Sequence, residues 1–270
     1  IETSPKNYGN VFLGIANIYY PSQNTKLFLV VSPIDTNNLR IPSDLQGKDF
    51  DDPEVISRFN SMMDYVLEEL NAVELVSVSI GNEIDIYLGQ NQEEWAQYEE
   101  FLKQTSSHIK SKKNIKTGAK ATFKGLTKTN INELKNINNN LDVVMVTYYP
   151  LNPDFSVQDP SVVSGDINKL ISSYNKEIQI LEAGYPSSSS LGSSETKQAE
   201  FVLELFKISN INKDKIKVIN LEWLHDKSSS EVNSFASYYG IPNKNFKEYL
   251  GSLGLRTASG KDKKVFASLK

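Results

Sequence analysis

Short apolar runs rich in β-branched residues alternate along this chain with longer stretches whose apolar residues recur every three or four positions. The runs at 27–34 (LFLVVSPI), 75–80, 115–121, 141–147, 178–181 and 216–221 read as strands. Asp52-Pro53 reads as an N-cap followed by proline at the first helical position, and Val55, Phe59, Met62, Val66 and Leu70 then fall at helical spacing. Asn91 opens another helix, with Glu93 and Glu94 in its first turn and Trp95, Tyr98, Leu102, Thr105 and Ile109 on one face. Further helices are expected near 128–137, 161–174, 194–209, 231–239 and 244–251. Strands alternating with helices predict an α/β fold built on a parallel sheet, either a barrel or a doubly wound sheet. No repeat or linker interrupts the pattern, so residues 1–270 are expected to form one domain. The biased segments 136–140 (NINNN) and the serines at 187–190 and 228–230 fall where loops are expected.

Composition narrows the classes. With 39 % apolar and 10 % aromatic residues, the 270-residue chain can bury a sizeable core. Its 29 basic and 33 acidic residues give a net charge of −4, and no basic stripe is present to neutralise a phosphate backbone, so nucleic acid is not an expected partner. No apolar stretch reaches the ~20 residues that a membrane span requires. Cysteine is absent, and with two histidines a transition-metal site has little to build on; no metal and no cofactor are expected. Gly81 lacks the spacing of a dinucleotide fingerprint, and no Walker pattern occurs.

The candidate chemistry lies at strand ends. Glu83 follows the 75–80 run in "SIGNEID", and Glu182 follows 178–181 in "ILEAGYPSS". In a parallel sheet both would project from the same rim. Glycoside hydrolysis needs such a pair, one carboxyl to protonate the leaving oxygen and another to attack the anomeric carbon or activate water. A single glutamate at a strand end is ordinarily a solvated rim residue. What sets these two apart is their company: Asn82 offers an amide beside Glu83, "VTYYP" brings Tyr148 and Tyr149 to the end of the intervening strand, and "NLEWLHD" places Trp223 where a sugar face can stack.

These motifs resemble those of the clan A glycoside hydrolases. "SIGNEID" is similar to the Asn-Glu motif after strand four of that clan, "ILEAGYPSS" to the nucleophile motif after strand seven, and "INLEWLHD" to the Trp-bearing strand eight. Within the clan, "VSIGNEI", "LDVVMVTYYPL" and "ILEAGYP" are most similar to the family 53 endo-β-1,4-galactanases and more loosely to β-1,3-glucanases, over residues 75–225. The resemblance implies a (β/α)8 TIM barrel and a retaining hydrolase of a β-linked polysaccharide, galactan first and glucan second, acting in endo fashion. It implies Glu83 as general acid/base and Glu182 as nucleophile, with Asn82 on the sugar 2-hydroxyl. Tyr149 (or Tyr148) would orient Glu182, and Trp223 would form the subsite floor.

The pattern is incomplete at the front. A barrel with Glu83 on strand four needs three strands before it, yet 27–34 is the one clear run, with 11–18 a weaker second. The clan also places an arginine near strand two, whereas the arginines here are Arg40, Arg58 and Arg256, of which Arg40 lies on the correct rim but one strand late. The N-terminal part of the barrel is therefore expected to be incomplete, with residues preceding Ile1 in the full protein, or irregular.

Other residues divide between site and scaffold. His225 and Asp226, just past Trp223, are equally readable as sugar ligands or as rim loop, and His225 is carried as a candidate. His108 falls on the helix that contains Trp95 and reads as surface or boundary. Asp85 reads as a loop cap, Lys120 as a solvated rim residue, and Tyr185-Pro186 as a turn. The expected protein is a monomeric hydrolase whose partner is a poly- or oligosaccharide. A chain that does not begin with methionine fits an extracellular, periplasmic or cell-surface enzyme whose signal segment is not in this sequence. The rival readings are a catalytically inactive sugar-binding protein on a degenerate barrel and an α/β scaffold with incidental glutamates.

Overall fold

The computed structural model describes residues 2–4, 7–9 and 11–269, which fall into two compact units, Ile1–Met145 and Val146–Lys270. In the first unit a short antiparallel pair, β1 (Glu2–Ser4) and β2 (Asn7–Tyr8), precedes helix α1 (Val11–Ser22). The 11–18 run expected as a strand is thus helical. Phe12, Ile15, Ile18 and Tyr19 recur at three- and four-residue spacing and form its exposed stripe, a helical period that the apolar density of the run conceals. The Asn17 side chain accepts from the Ala72 and Val73 N–H groups at 2.8 and 3.2 Å, fixing α1 against the 72–73 turn.

Strand β3 (Leu27–Asp35) turns back into β4 (Asn38–Leu39) and pairs in parallel with β5 (Leu75–Asn82). Between them, α2 (Pro53–Glu69) starts as its sequence dictates. Asp52 accepts from Glu54 N–H at 2.8 Å, Pro53 needs no donor partner there, and Val55, Phe59, Met63 and Val66 are buried, Met63 taking the inward place expected for Met62. Beyond the short α3 (Ile84–Leu88), α4 (Gln92–Lys112) is capped by Asn91, has Glu93 and Glu94 in its first turn and Lys110 and Lys112 in its last, and buries Trp95, Tyr98, Leu102, Thr105 and Ile109 as predicted.

The expected 115–121 strand is broken into β6 (Lys116–Gly118), parallel to β5, and β7 (Lys120–Thr122). At the break the Lys120 N–H donates to the side chain of Ser79 on β5, Oγ at 3.0 Å, and not to a backbone carbonyl. A π-helical turn at Gly125–Thr129 leads into α5 (Ile131–Asn139), which runs through most of the asparagine-rich segment expected as a loop. There the Asn138 side-chain N–H donates to the Leu134 carbonyl at 2.8 Å, within the helix. The strand order of the unit's sheet is β4-β3-β5-β6.

Strand β8 (Val143–Tyr148) crosses the boundary between the units and is buried at every position, the pattern of a strand covered on both faces. In the second unit α6 (Val162–Ser173), β9 (Glu177–Ala183), α7 (Glu195–Ile211) and β10 (Ile216–Leu221) follow, with β9 and β10 parallel and the order β10-β9-β8. Ser194 caps α7, and Ser228 and Glu231 form a reciprocal capping box at the start of α8 (Ser229–Tyr239). Asn243 caps α9 (Lys244–Gly251), and α10 (Lys264–Ser268) completes the unit. The cluster Leu191, Val232, Ala236, Phe246, Tyr249, Leu250 and Leu253 joins these helices under the loop that leaves β8. Strands alternating with helices, paired in parallel, establish the α/β class. Among the described residues no helix is long and apolar enough to cross a membrane.

Candidate active site

In the first unit the backbone turns sharply where β5 ends. Gly81 has φ +98°, and a Cβ there would run into Ile84 Cγ2 and lie 2.6 Å from the Tyr98 hydroxyl, so only glycine fits. Tyr98 donates to the Ile80 carbonyl at 3.1 Å, and Ser79 Oγ donates to the Gly81 carbonyl at 2.8 Å, which fixes the strand end from both sides. Glu83 follows in left-handed backbone, φ +46°, a conformation rare for a residue with a side chain.

The side chains of the Asn82-Glu83 pair are held by the turn after β3. Asp35 and Asn82 are register partners, and Asn82 Nδ2 donates to Asp35 Oδ1 at 2.8 Å. The Thr36 hydroxyl donates to Glu83 Oε2 at 2.9 Å, and its N–H donates to the Asn82 carbonyl at 2.9 Å. Asn82 Oδ1 is buried without a hydrogen-bond partner among the described residues. Arg40 places Nη1 3.5 Å from Asp35 Oδ2, so its charge reaches the rim through Asp35.

In the second unit Glu182 is the penultimate residue of β9, and Tyr149, just past β8, donates its phenol proton to Glu182 Oε2 at 2.9 Å. Gly184 makes room for this: a Cβ there would lie 3.0 Å from the Tyr149 ring and 2.9 Å from the Glu222 carbonyl. The two tyrosines of "VTYYP" point opposite ways because successive strand residues alternate faces. Tyr148 is 1 % exposed and donates to Asp166 on α6 at 2.9 Å. Burial and the adjacent carboxylate push its phenol far above the ordinary range, and burial raises Asp166 as well. Tyr148 is therefore placed in the core, and of the two alternatives Tyr149 is the one that reaches Glu182.

Trp223 follows β10 across a cis peptide bond from Glu222. Its indole stacks on Phe235 with centroids 5.6 Å apart, and the Lys227 ammonium lies 4.6 Å from the ring centroid. His225 is exposed, and its backbone forms a bridge with Arg256. Asp226 is taken up by the scaffold. Burial raises its carboxyl above the ordinary value although Lys263 lies 2.6 Å away. The buried Lys263 ammonium also donates to Ser187 Oγ at 3.0 Å and to the Ser252 carbonyl at 3.1 Å.

Asp85 acts as a loop cap, accepting from the Thr122 N–H and hydroxyl at 2.8 and 2.6 Å, and burial raises its carboxyl against the effect of those bonds. Lys120, expected to be solvated, is buried at 4 % exposure because β7 turns it inward. His108 is at a boundary, 2.7 Å from Asp64. Asp35 and Thr36 are the contributors that sequence reasoning passed over. Their signal was available, since "DTN" follows the 27–34 run on the rim that carries Glu83. Among the described residues no group of three or more metal-ligating side chains is placed to hold an ion.

Each unit thus presents a strand-end carboxylate bonded to a hydroxyl, which is equipment for proton transfer or nucleophilic attack at an acetal. No curated protein matches the sequence. Among solved structures, the GH53 catalytic domain of Ignisphaera aggregans is 18 % identical with a TM-score of 0.67, over 97 % of this chain and 79 % of its own. One from a study of two fungal β-1,4-galactanases is 14 % identical with a TM-score of 0.70, over 97 % and 82 %. Bacteroides uniformis β-glucuronidase 2 is 10 % identical with a TM-score of 0.64; there 96 % of this chain spans only 29 % of the larger protein. At these identities the likeness concerns the fold. The sequence model of glycosyl hydrolase family 53 matches residues 46–221, which hold both carboxylates and most of the 270 positions, so the chain belongs to that family and is a glycosidase.

Proposed function

We propose that this glycosidase hydrolyses a β-linked polysaccharide with retention and in endo fashion, β-galactan being the first candidate and β-glucan the second, on a (β/α)8 barrel. Glu83 is the general acid/base and Glu182 the nucleophile. The observation that carries the reading is the Tyr149–Glu182 hydrogen bond of 2.9 Å within the family-matched strand end. A phenol donating to one carboxylate oxygen fixes the orientation of the group, as an attacking nucleophile requires. Glu83 enters the reaction protonated, gives its proton to the departing glycosidic oxygen, and recovers one from the water that releases the sugar from Glu182. Asn82, with Nδ2 on Asp35, keeps its second amide proton for the sugar 2-hydroxyl. Trp223 offers an aromatic floor, and exposed His225 is available to sugar hydroxyls. A polymeric substrate supports the reading of an extracellular, periplasmic or cell-surface enzyme.

Reducing-sugar release from β-galactans, β-glucans, mannans and xylans, beside Glu182→Gln, tests this reading. Release from one polymer, reduced by several orders of magnitude in the variant and giving first the β-anomer by proton NMR, is expected. Release of the α-anomer would exclude retention, and undiminished release by the variant would remove Glu182 from the mechanism.

A further inference from the structure

We propose that Thr36 is a positioning residue for the acid/base, fixing the orientation of the Glu83 carboxyl; this rests on the reading of Glu83 given above. The first observation is conformational. Thr36 opens the two-residue turn between β3 and β4 with φ +56°, a place where glycine is usual, and a β-branched residue there is an outlier. Glu83, its hydrogen-bond partner, is left-handed too, at φ +46°. Two such residues bonded to each other mark a constellation that its surroundings hold in place.

The second observation is the pattern of bonds. Two consecutive residues of one turn grip two consecutive residues of the other. Asp35 accepts from the Asn82 amide at 2.8 Å, while Thr36 donates through its hydroxyl to Glu83 Oε2 and through its N–H to the Asn82 carbonyl, both at 2.9 Å. In glycosylation the Glu83 proton passes to the leaving oxygen as the C–O bond breaks, and in deglycosylation the carboxylate takes a proton from the attacking water. The Thr36 hydroxyl itself transfers nothing. It donates to the anion that glycosylation produces and so stabilises it.

The test uses kcat/KM, which reports glycosylation, on the polymer and on aryl glycosides of graded leaving-group acidity, with Thr36→Val, Thr36→Ser, Glu83→Ala and the parent enzyme. Thr36→Val is expected to lose about tenfold on the polymer and on poor leaving groups while keeping its rate on a dinitrophenyl glycoside, which departs without a proton. Its alkaline pH limb should move upward, and serine should restore both properties. Thr36→Gly removes the hydroxyl while suiting the left-handed backbone, and it should reproduce the valine signature if valine fails to fold. An equal loss on every leaving group with an unmoved limb would reduce Thr36 to a structural role. The Glu83 reading is judged separately: Glu83→Ala should keep the dinitrophenyl substrate and form a β-glycosyl azide with added azide. Wild-type behaviour of Glu83→Ala would overturn that assignment, and the Thr36 proposal with it.

Discussion

The phenol of Tyr149 and the carboxylate of Glu182 are joined by a hydrogen bond of 2.9 Å, while Tyr148, one residue earlier, makes its own 2.9 Å bond to Asp166. The two tyrosines should therefore fail differently when their hydroxyls are removed. A hydrogen bond to a charged group is worth about 1.5–3 kcal/mol, so Tyr149→Phe is expected to lower kcat roughly 10- to 100-fold with its melting temperature nearly unchanged. Tyr148→Phe leaves the half-buried Asp166 short of a donor and should cost about 1–3 kcal/mol in urea unfolding while kcat stays near wild type. Reversal of the two phenotypes would contradict the alternation of faces along β8.

Gly81→Ala should be among the most damaging single-methyl substitutions in the first unit. The added carbon meets Ile84 and the Tyr98 hydroxyl, and φ +98° strains any L side chain. A loss of about 2–4 kcal/mol is expected, measurable by thermal or chemical unfolding. Adding Tyr98→Phe should recover only a fraction, because the clash with Ile84 and the backbone strain persist. Full recovery would mean that the hydroxyl alone made the glycine necessary.

Asp142 gives the first unit an acid-sensitive contribution. Burial would raise its carboxyl, but the Thr117 N–H and hydroxyl, both at 2.9 Å, and Lys110 at 3.3 Å outweigh it and hold the group below its ordinary value. A folded pKa below the unfolded one means stability that is present above the unfolded value of about 3.9 and is lost as pH falls through the folded value. Asp142→Asn should therefore be less stable than wild type near pH 7, and the gap should close as pH falls through the folded value. A gap independent of pH would show that the amide loses geometry and not charge.

The capping box of α8 sets a smaller but clean expectation. Ser228 Oγ accepts from Glu231 N–H at 3.3 Å, and Glu231 Oε2 accepts from Ser228 N–H at 2.9 Å. Ser228→Ala should cost about 1 kcal/mol, and Ser228→Asp should retain most of that stability. Equal losses in both variants would point to packing at this position.

How far the sequence revealed all this depends on which interactions carry each element. Asp52-Pro53 and Asn91 signalled helix starts because caps are local chemistry, and α9 occupies residues 244–251 as its periodicity required. Asn82-Glu83 and Glu182 stood out because carboxylates at the ends of apolar runs have no role in a core. The 11–18 run was misread because its exposed stripe is as apolar as a buried strand, and polarity then carries no period. Lys120 was misplaced because its burial follows from a strand break made by Ser79, 41 residues earlier. Thr36 was missed for the same kind of reason. Its place just past the 27–34 run was a signal for the rim, but the partner of its hydroxyl lies 47 residues away and is set by the pairing of β3 with β5.

The ammonium of Lys263 joins Ser187 from the segment after β9, Asp226 from the segment after β10 and the Ser252 carbonyl at the end of α9. Surface segments are ordinarily the interchangeable parts of a protein, varied one at a time while the scaffold stays fixed. These three cannot be traded singly, because a transplant lacking its share of the partners would strand a buried charge. Whatever diversification this half of the molecule undergoes must move all three segments and residue 263 together, so the heritable module here is larger than a loop.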